Sequence, residues 1–186
     1  MSDGARTTYL LVDGENIDAT LGGSILGRRP RPEERPRWER LLNFARERFD
    51  QDAVGLFFLP AGTELPMSFV QALMAIGYRP VPLSGDSGEK VVDSAIQRTL
   101  HAIADRDADV MLVSNDGDFV EEVQHVLDGR RVGLVGFTEF RNGAFVPMAD
   151  DGLELFDLEY DVKAFTTPLS RVRIIPIDEF DPAQFL

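Results

Sequence analysis

Carboxylates follow two apolar segments of the sequence. Residues 9–12 are all apolar or aromatic and lead directly into Asp13, and residues 110–113 lead into Ser114, Asp116 and Asp118. An apolar run without alternation is typical of a parallel strand that is buried on both faces. Ligands of open α/β sheets bind beyond the carboxyl ends of the strands, where the strand order reverses. If the two strands are neighbours, these carboxylates converge on one crevice.

A fourth carboxylate, Asp93, lies at the start of a predicted helix, next to the apolar stripe that contains Val92. Like charges in one crevice repel, so they need a counter-charge. A divalent cation with oxygen ligands, Mg²⁺ or Mn²⁺, is the natural candidate. Such a site activates water and stabilises an in-line phosphoryl displacement. The candidate catalytic and metal-binding residues are therefore Asp13, Asp93, Asp116 and Asp118.

Each of these aspartates also has a purely structural interpretation. An aspartate at a strand end is often a turn residue. Asp118 could cap a helix, with Glu121 completing a capping box, and Asp93 could match a helix dipole. Four carboxylates at one edge of one predicted sheet favour the metal site over four separate structural roles.

Neutral and basic side chains beside the aspartates are candidates for substrate binding. Asn16 and Ser114 offer neutral oxygens, although Ser114 could instead hydrogen-bond the turn after its strand. Lys90 is close enough in sequence to Asp93 to meet a phosphate, although a solvated lysine is an equally good interpretation.

A basic segment spans residues 28–48, with eight arginines and four glutamates, a net charge of 8 − 4 = +4. Its proline-rich beginning, residues 28–37, predicts an extended, mobile loop. We expect Arg28, Arg29, Arg31, Arg35 and Arg37 to form a flap near the site that contacts a phosphate backbone, because arginine neutralises phosphate charge.

Composition bounds the remaining possibilities. The chain has 186 residues, 44% of them hydrophobic, a net charge of −13 and no cysteine, which excludes disulfides and thiolate metal sites. The sequence predicts a cytoplasmic protein without a signal peptide, a membrane span or a membrane partner. From residue 150 onward there are nine acidic and three basic residues, net 3 − 9 = −6. This acidic tail suits a protein partner, and a homo-oligomer is compatible with the sequence.

Other chemistries have weaker support. There is neither a P-loop motif nor a Gly-x-Gly-x-x-Gly motif. The two histidines, His101 and His125, lie far in sequence from any serine at a strand-to-helix elbow. The main enzymatic alternative is an aspartyl-phosphate phosphatase, but its Asp-x-Asp motif would have Glu15 in the second acidic position.

The elements that position these residues alternate between strand and helix. We predict strands at 8–13, 53–59, 79–83, 109–114 and 131–137, and helices at 38–49, 65–76, 89–105 and 119–127, with a loop at 16–27. This pattern predicts a three-layer α/β/α fold with a mostly parallel five-stranded sheet of order 3-2-1-4-5. Residues 1–150 form the predicted domain and 151–186 an acidic, partly irregular extension. Within it we expect a helical turn at 151–156 and a late strand at 172–175, preceded by a short strand at 145–148. Trp38 is interpreted as a core anchor in preference to a base-stacking residue.

Three motifs together resemble the NYN domain, a branch of the PIN-like nuclease superfamily. They are VDGEN at 12–16, KVVD at 90–93 and VSNDGDF at 113–119, in the family's order and spacing. The resemblance implies a PIN-like, Rossmann-like fold and a Mg²⁺- or Mn²⁺-dependent ribonuclease acting in RNA processing. It also implies that Asp13, Asp93, Asp116 and Asp118 are the acidic centre, with Asn16 beside it. The alternative from another class is a binding or regulatory module that keeps this fold and binds RNA or a protein without cleaving it.

Overall fold

A six-stranded, fully parallel sheet forms the centre of the computed structural model, which describes residues 6–62, 65–86, 90–172 and 174–186. The strand order is β3-β2-β1-β4-β5-β6. The strands are β1 Thr7–Asp13, β2 Asp52–Pro60, β3 Arg79–Leu83, β4 Ala108–Val113, β5 Val132–Gly136 and β6 Leu153–Asp157. The three-layer α/β fold is confirmed, and β1 and β4 are neighbours at the point where the order reverses.

Helices cover both faces of this sheet. They are α1 Gly14–Ala19, α2 Trp38–Phe49, α3 Met67–Ala75, α4 Val91–Ala104 and α5 Val120–Val126. One buried core packs α1, α2 and α3 against the sheet through side chains such as Ile17, Leu41 and Leu73. The other packs α4 and α5 through side chains such as Ile96 and Val123. β1 and β4 contribute to both cores, which explains their unbroken apolar sequences.

The prediction of five strands was wrong, because β6 adds a sixth. Residues 153–157 pair in parallel with β5, where a helical turn had been predicted. The preceding segment, predicted to contain a strand at 145–148, is the 3₁₀ helix Gly143–Asp151. Pro147 has no N–H to donate to a sheet, which disfavours a strand there. Gly152, with φ of 105°, ends the helix and turns the chain into β6.

The segment between β1 and α2 is more regular than predicted. Residues 16–27 were expected to be a loop, but α1 continues into the π-helix Thr20–Leu26. Ile17 and Leu21 are fully buried beneath it, so packing stabilises this helical path. The proline-rich insert contains the 3₁₀ turn Pro32–Glu34. There the Arg28 guanidinium donates to both carboxylate oxygens of Glu34, at 2.7 and 2.5 Å.

A buried arginine attaches the C-terminal segment to the domain. Arg171 pairs with Glu139 and Asp157 at 2.8 Å each and with Glu159 at 3.0 Å, and its side chain is 2% exposed. One positive charge is thus shared by three acidic groups inside the molecule. The predicted strand at 172–175 was wrong for its described residues, since Val172 and Ile174 are irregular and about 90% exposed; residue 173 lies outside the described part. Among the described residues, no helix has the length and apolar character needed to span a bilayer.

Candidate metal centre

Asp13 is held rigidly at the end of the central strand. Its side chain is 2% exposed. It accepts hydrogen bonds from the Ser114 hydroxyl at 2.9 Å and from the Asn16 backbone N–H at 3.3 Å, the latter capping α1. Burial raises the pKa of Asp13 from 3.8 to about 6; these hydrogen bonds oppose the rise, and the charges of Asp93 and Asp116 add to it. Asp13 is therefore a carboxylate whose charge needs a partner.

Ser114 couples the ends of β1 and β4. Its hydroxyl donates to Asp13 and accepts the backbone N–H of Asp116 at 3.1 Å. Asp116 in turn caps the short 3₁₀ turn Gly117–Phe119 by accepting the Asp118 N–H at 3.0 Å. A chain of local hydrogen bonds therefore orients the carboxylates that follow both central strands.

Asp93, Asp116 and Asp118 form a second, more exposed part of the acidic cluster. One carboxylate oxygen from each lies within 4.8 Å of the others. The Lys90 ammonium contacts Asp118 at 2.8 Å and Asp93 at 3.7 Å. Burial raises the pKa of Asp93, mutual repulsion with Asp116 and Asp118 adds to the rise, and Lys90 opposes it. The chain thus partly neutralises its own carboxylates with one flexible, exposed lysine.

A cavity of about 350 Å³ joins the two parts of the cluster. Asp13, Asp93 and Asp116 line it together with Asn16 and Lys90. Carboxylate oxygens around a partly buried space are the donor set that Mg²⁺ and Mn²⁺ prefer. The residues present therefore fit a divalent cation.

Capping by Asp118 was one interpretation of the sequence, but the side chain that caps the turn at this point is that of Asp116. Asp116 caps the 3₁₀ turn, and α5 begins after Phe119, which makes no side-chain capping bond. The carboxylate of Asp118 instead faces Lys90, while its backbone carbonyl accepts a hydrogen bond from Gln97 at 3.0 Å. The side chain of Asp118 is thus available for a role in the cluster.

The predicted basic contacts lie beside the acidic cavity and do not line it. Arg28 and Arg29 line a neighbouring groove with Asp18, next to α1. Arg31 is exposed, and its backbone N–H donates to Glu34 at 2.8 Å. Among the described residues, Lys90 is the basic side chain that lines the acidic cavity.

The sequence interpretation missed Asn115, which lies between the two central motifs. Its backbone N–H donates to the Asn16 side chain at 2.9 Å, and its side-chain oxygen Oδ1 accepts the Phe137 N–H at 2.7 Å. A Cβ atom at Gly136 would lie 2.4 Å from that oxygen, so glycine leaves the space that Asn115 needs. The sequence feature that could have identified Asn115 was its position within the VSNDGDF motif. Asn16 therefore has a positioning contact in addition to lining the cavity.

Glu15 was named in the motif but was not expected at the site. It lines the acidic cavity, and it also lines a second, largely apolar cavity of about 300 Å³. The second cavity has walls from Trp38, Phe57 and Phe69. Trp38 is half-buried and packs on Phe57, so it contributes to the core and also faces this cavity.

Comparison with known proteins agrees with the fold described above. A crystal structure of a protein of unknown function from Vibrio parahaemolyticus superposes with a TM-score of 0.67 at 18% identity, covering 87% of this chain and 98% of that one. At this identity the likeness shows a common fold. No curated protein matches the sequence. The family model described as the NYN domain matches residues 7–155, which include every strand but the last residues of β6. The chain belongs to the NYN domain family.

Proposed function

We propose that this protein is a Mg²⁺- or Mn²⁺-dependent ribonuclease that hydrolyses phosphodiester bonds of RNA at the aspartate cluster. The observation that carries the proposal is the convergence of Asp13, Asp93 and Asp116 on one cavity, with Asp118 alongside. Membership of the NYN family supports a nuclease-type activity.

We assign the four aspartates two different roles, according to how rigidly each side chain is held. Asp13 and Asp116 follow rigid central strands and are held by Ser114 and by a capping bond, so they serve as metal ligands. Asp93 and Asp118, whose carboxylate oxygens lie within 4.8 Å of Asp116 and of each other, are assigned the role of orienting the attacking water. The bound cation supplies charge neutralisation for the phosphate and a lowered pKa for the attacking water.

The remaining residues bind and orient the substrate. Lys90 is 72% exposed and can turn from Asp118 toward a phosphate oxygen. Water attacks phosphorus and passes one proton to Asp93, whose raised pKa suits a proton acceptor. The ester P–O bond breaks, and the leaving oxygen takes up a proton from solvent to become a hydroxyl. Asn16 and Ser114 keep the carboxylates in place during this step.

A cleavage assay tests the proposal directly. The intact protein is incubated with labelled single-stranded RNA and Mn²⁺, in parallel with EDTA and with the Asp116→Asn variant. We expect cleavage with Mn²⁺, none with EDTA, and a loss of at least a hundredfold in Asp116→Asn. Asp178→Asn, a change in the C-terminal segment, is the charge-matched control and should keep full activity.

Two outcomes contradict the proposal. RNA that is bound tightly but stays intact at all metal concentrations would identify a binding module in place of an enzyme. Cleavage that persists equally in EDTA and in Asp116→Asn would point to a contaminating nuclease. Melting temperature provides an independent measurement, because a cation that binds only the folded state raises it by mass action.

A further inference from the structure

The apolar cavity adjoins the acidic cavity. Glu15 and Pro60 line both, so the two form neighbouring compartments along the same edge of the sheet. The apolar compartment measures about 300 Å³, near the lower limit for small-molecule sites. Its size suits one planar ring system and excludes a folded segment of chain.

Aromatic rings form a rigid wall of this cavity. Trp38 and Phe69 both pack edge-to-face on Phe57, with centroid distances of 5.0 and 5.5 Å. Phe57 is 3% exposed, whereas Phe69 is 36% exposed. Ring packing of this kind fixes the positions of the side chains while leaving apolar surface open to a ligand.

Polar groups lie around the aromatic wall. Glu15, Asp18 and Arg35 line the same cavity, and Arg35 pairs with Asp18 at 3.4 Å. They offer hydrogen-bond acceptors and a planar donor to the edge of a ligand whose face is apolar. A nucleobase has such an apolar face and polar edge, and the neighbouring acidic cavity makes it the ring that fits this place.

We infer that this aromatic pocket, formed by Trp38, Phe57 and Phe69, binds one base of the RNA strand whose phosphodiester lies at the aspartates. The inference rests on the proposed function for the identity of the neighbouring group. The pocket requires an unpaired base, because a base within a duplex has no free face to stack. Single-stranded RNA is therefore the substrate class, and the pocket sets the position of the cut relative to the stacked base.

Fluorescence provides a direct test, because Trp38 is the single tryptophan of the chain. The full-length protein is titrated, in Mg²⁺, with a short oligouridylate and with an oligomer of the same length that lacks bases. We expect saturable quenching by the oligouridylate and none by the abasic backbone. Cleavage does not remove the signal, since the products keep their bases. Equal quenching by the two oligomers, or none by either, overturns the inference.

Substitutions on α3 provide the matched pair of variants. Phe69→Ala removes one wall of the pocket and should weaken oligouridylate binding about tenfold, the scale of one lost stacking contact. Met74→Ala, at a 61% exposed position of the same helix, should bind like wild type. Wild-type affinity in Phe69→Ala overturns the inference.

The pocket and the chemistry can fail separately. Base-dependent quenching without cleavage retains the pocket and rejects the ribonuclease. Metal-dependent cleavage without base-dependent quenching retains the ribonuclease and rejects the pocket. In an active enzyme, Phe69→Ala should raise KM about tenfold with little change in kcat, because the ring touches the substrate away from the reacting phosphate.

Discussion

The Ser114 hydroxyl donates a 2.9 Å hydrogen bond to Asp13, joining the carboxyl ends of the two central strands. Both side chains are almost fully buried. Burial raises the pKa of Asp13, this bond opposes the rise by stabilising the charged form, and the resulting pKa is about 6. The ability of Asp13 to act as an anionic ligand near neutral pH therefore depends on a residue of the neighbouring strand.

Removing this hydroxyl should change the pH dependence of metal binding. Ser114→Ala raises the pKa of Asp13 further, so metal affinity should decline from a higher pH as the solution is acidified. A hydrogen bond to a charged group contributes about 1.5–3 kcal/mol. Its loss should raise the pKa of Asp13, and the pH at which metal affinity declines, by about one to two units. Calorimetric titration with Mg²⁺ or Mn²⁺ at several pH values from about 5 to about 9 measures this change in the pH dependence of metal affinity.

A matched control for this variant is Thr8→Val. Thr8 lies at the other end of β1, is also fully buried, and accepts a 2.7 Å hydrogen bond from Gln51. The Thr8→Val variant loses a buried hydroxyl that does not contact Asp13. Its metal affinity should therefore follow the wild-type pH profile. Superimposable profiles for Ser114→Ala and wild type would refute the coupling.

Asp13→Asn should stabilise the metal-free protein at neutral pH. The pKa of Asp13 is about 6 when folded and near 3.8 when unfolded, so wild-type stability falls as pH rises through this window. Asparagine does not titrate. The free energy of unfolding of Asp13→Asn should therefore exceed that of wild type by an amount that grows from about pH 4 to about pH 6 and then stays constant, at on the order of 3 kcal/mol. Urea unfolding in EDTA at several pH values measures it.

Asp128→Asn is the control of opposite sign for this experiment. Arg130 holds the pKa of Asp128 below its usual value, so the charged form is favoured in the folded state. The charged Asp128 side chain therefore stabilises the folded protein at pH values above its unfolded-state pKa, and this stabilisation is lost as the pH falls. Asp128→Asn should therefore be slightly less stable than wild type at neutral pH. An Asp13→Asn variant that is also less stable would contradict the cost of burying the Asp13 carboxylate, which is the main cause of its raised pKa.

Asp118→Asn should separate activity from stability. Its carboxylate pairs with the exposed Lys90, and an exposed pair contributes about 0–1 kcal/mol, so the melting temperature should change little. Activity should fall at least tenfold, because a carboxylate leaves the cluster that orients water. Glu121→Gln, an exposed change one turn further on, is the control for lost charge. Full activity in Asp118→Asn would reduce the candidate centre to three aspartates.

The arginines of the insert should contribute to RNA affinity through charge. Replacing Arg28, Arg29 and Arg31 with glutamine should weaken binding and flatten its salt dependence by about 0.7 slope units per lost phosphate contact. Arg106→Gln, at the opposite edge of the sheet, is the control. Binding measured by anisotropy from low to moderate salt decides the question, and an unchanged slope would assign the insert to another role.

Sequence alone determined the two central strands and the acidic residues at their ends. Residues 9–12 and 110–113 are apolar without interruption, and such short runs followed by turn residues are typical of strands buried on both faces. Asp13 and Asp116 could therefore be placed at one sheet edge once the alternation of strands and helices indicated a parallel sheet. Periodicity also located α2 and α4, because their apolar residues recur at helical spacing and are buried in the structure.

Tertiary structure alone decided the contacts between distant segments. Lys90 meets Asp118 across 28 positions, and Arg171 gathers Glu139, Asp157 and Glu159 in a buried cluster. The sixth strand was missed because a five-residue segment becomes a strand only when β5 offers it backbone partners. The aromatic pocket likewise takes Trp38, Phe57 and Phe69 from α2, β2 and α3. Such contacts depend on how helices pack across the sheet, and local sequence spacing carries no record of that packing.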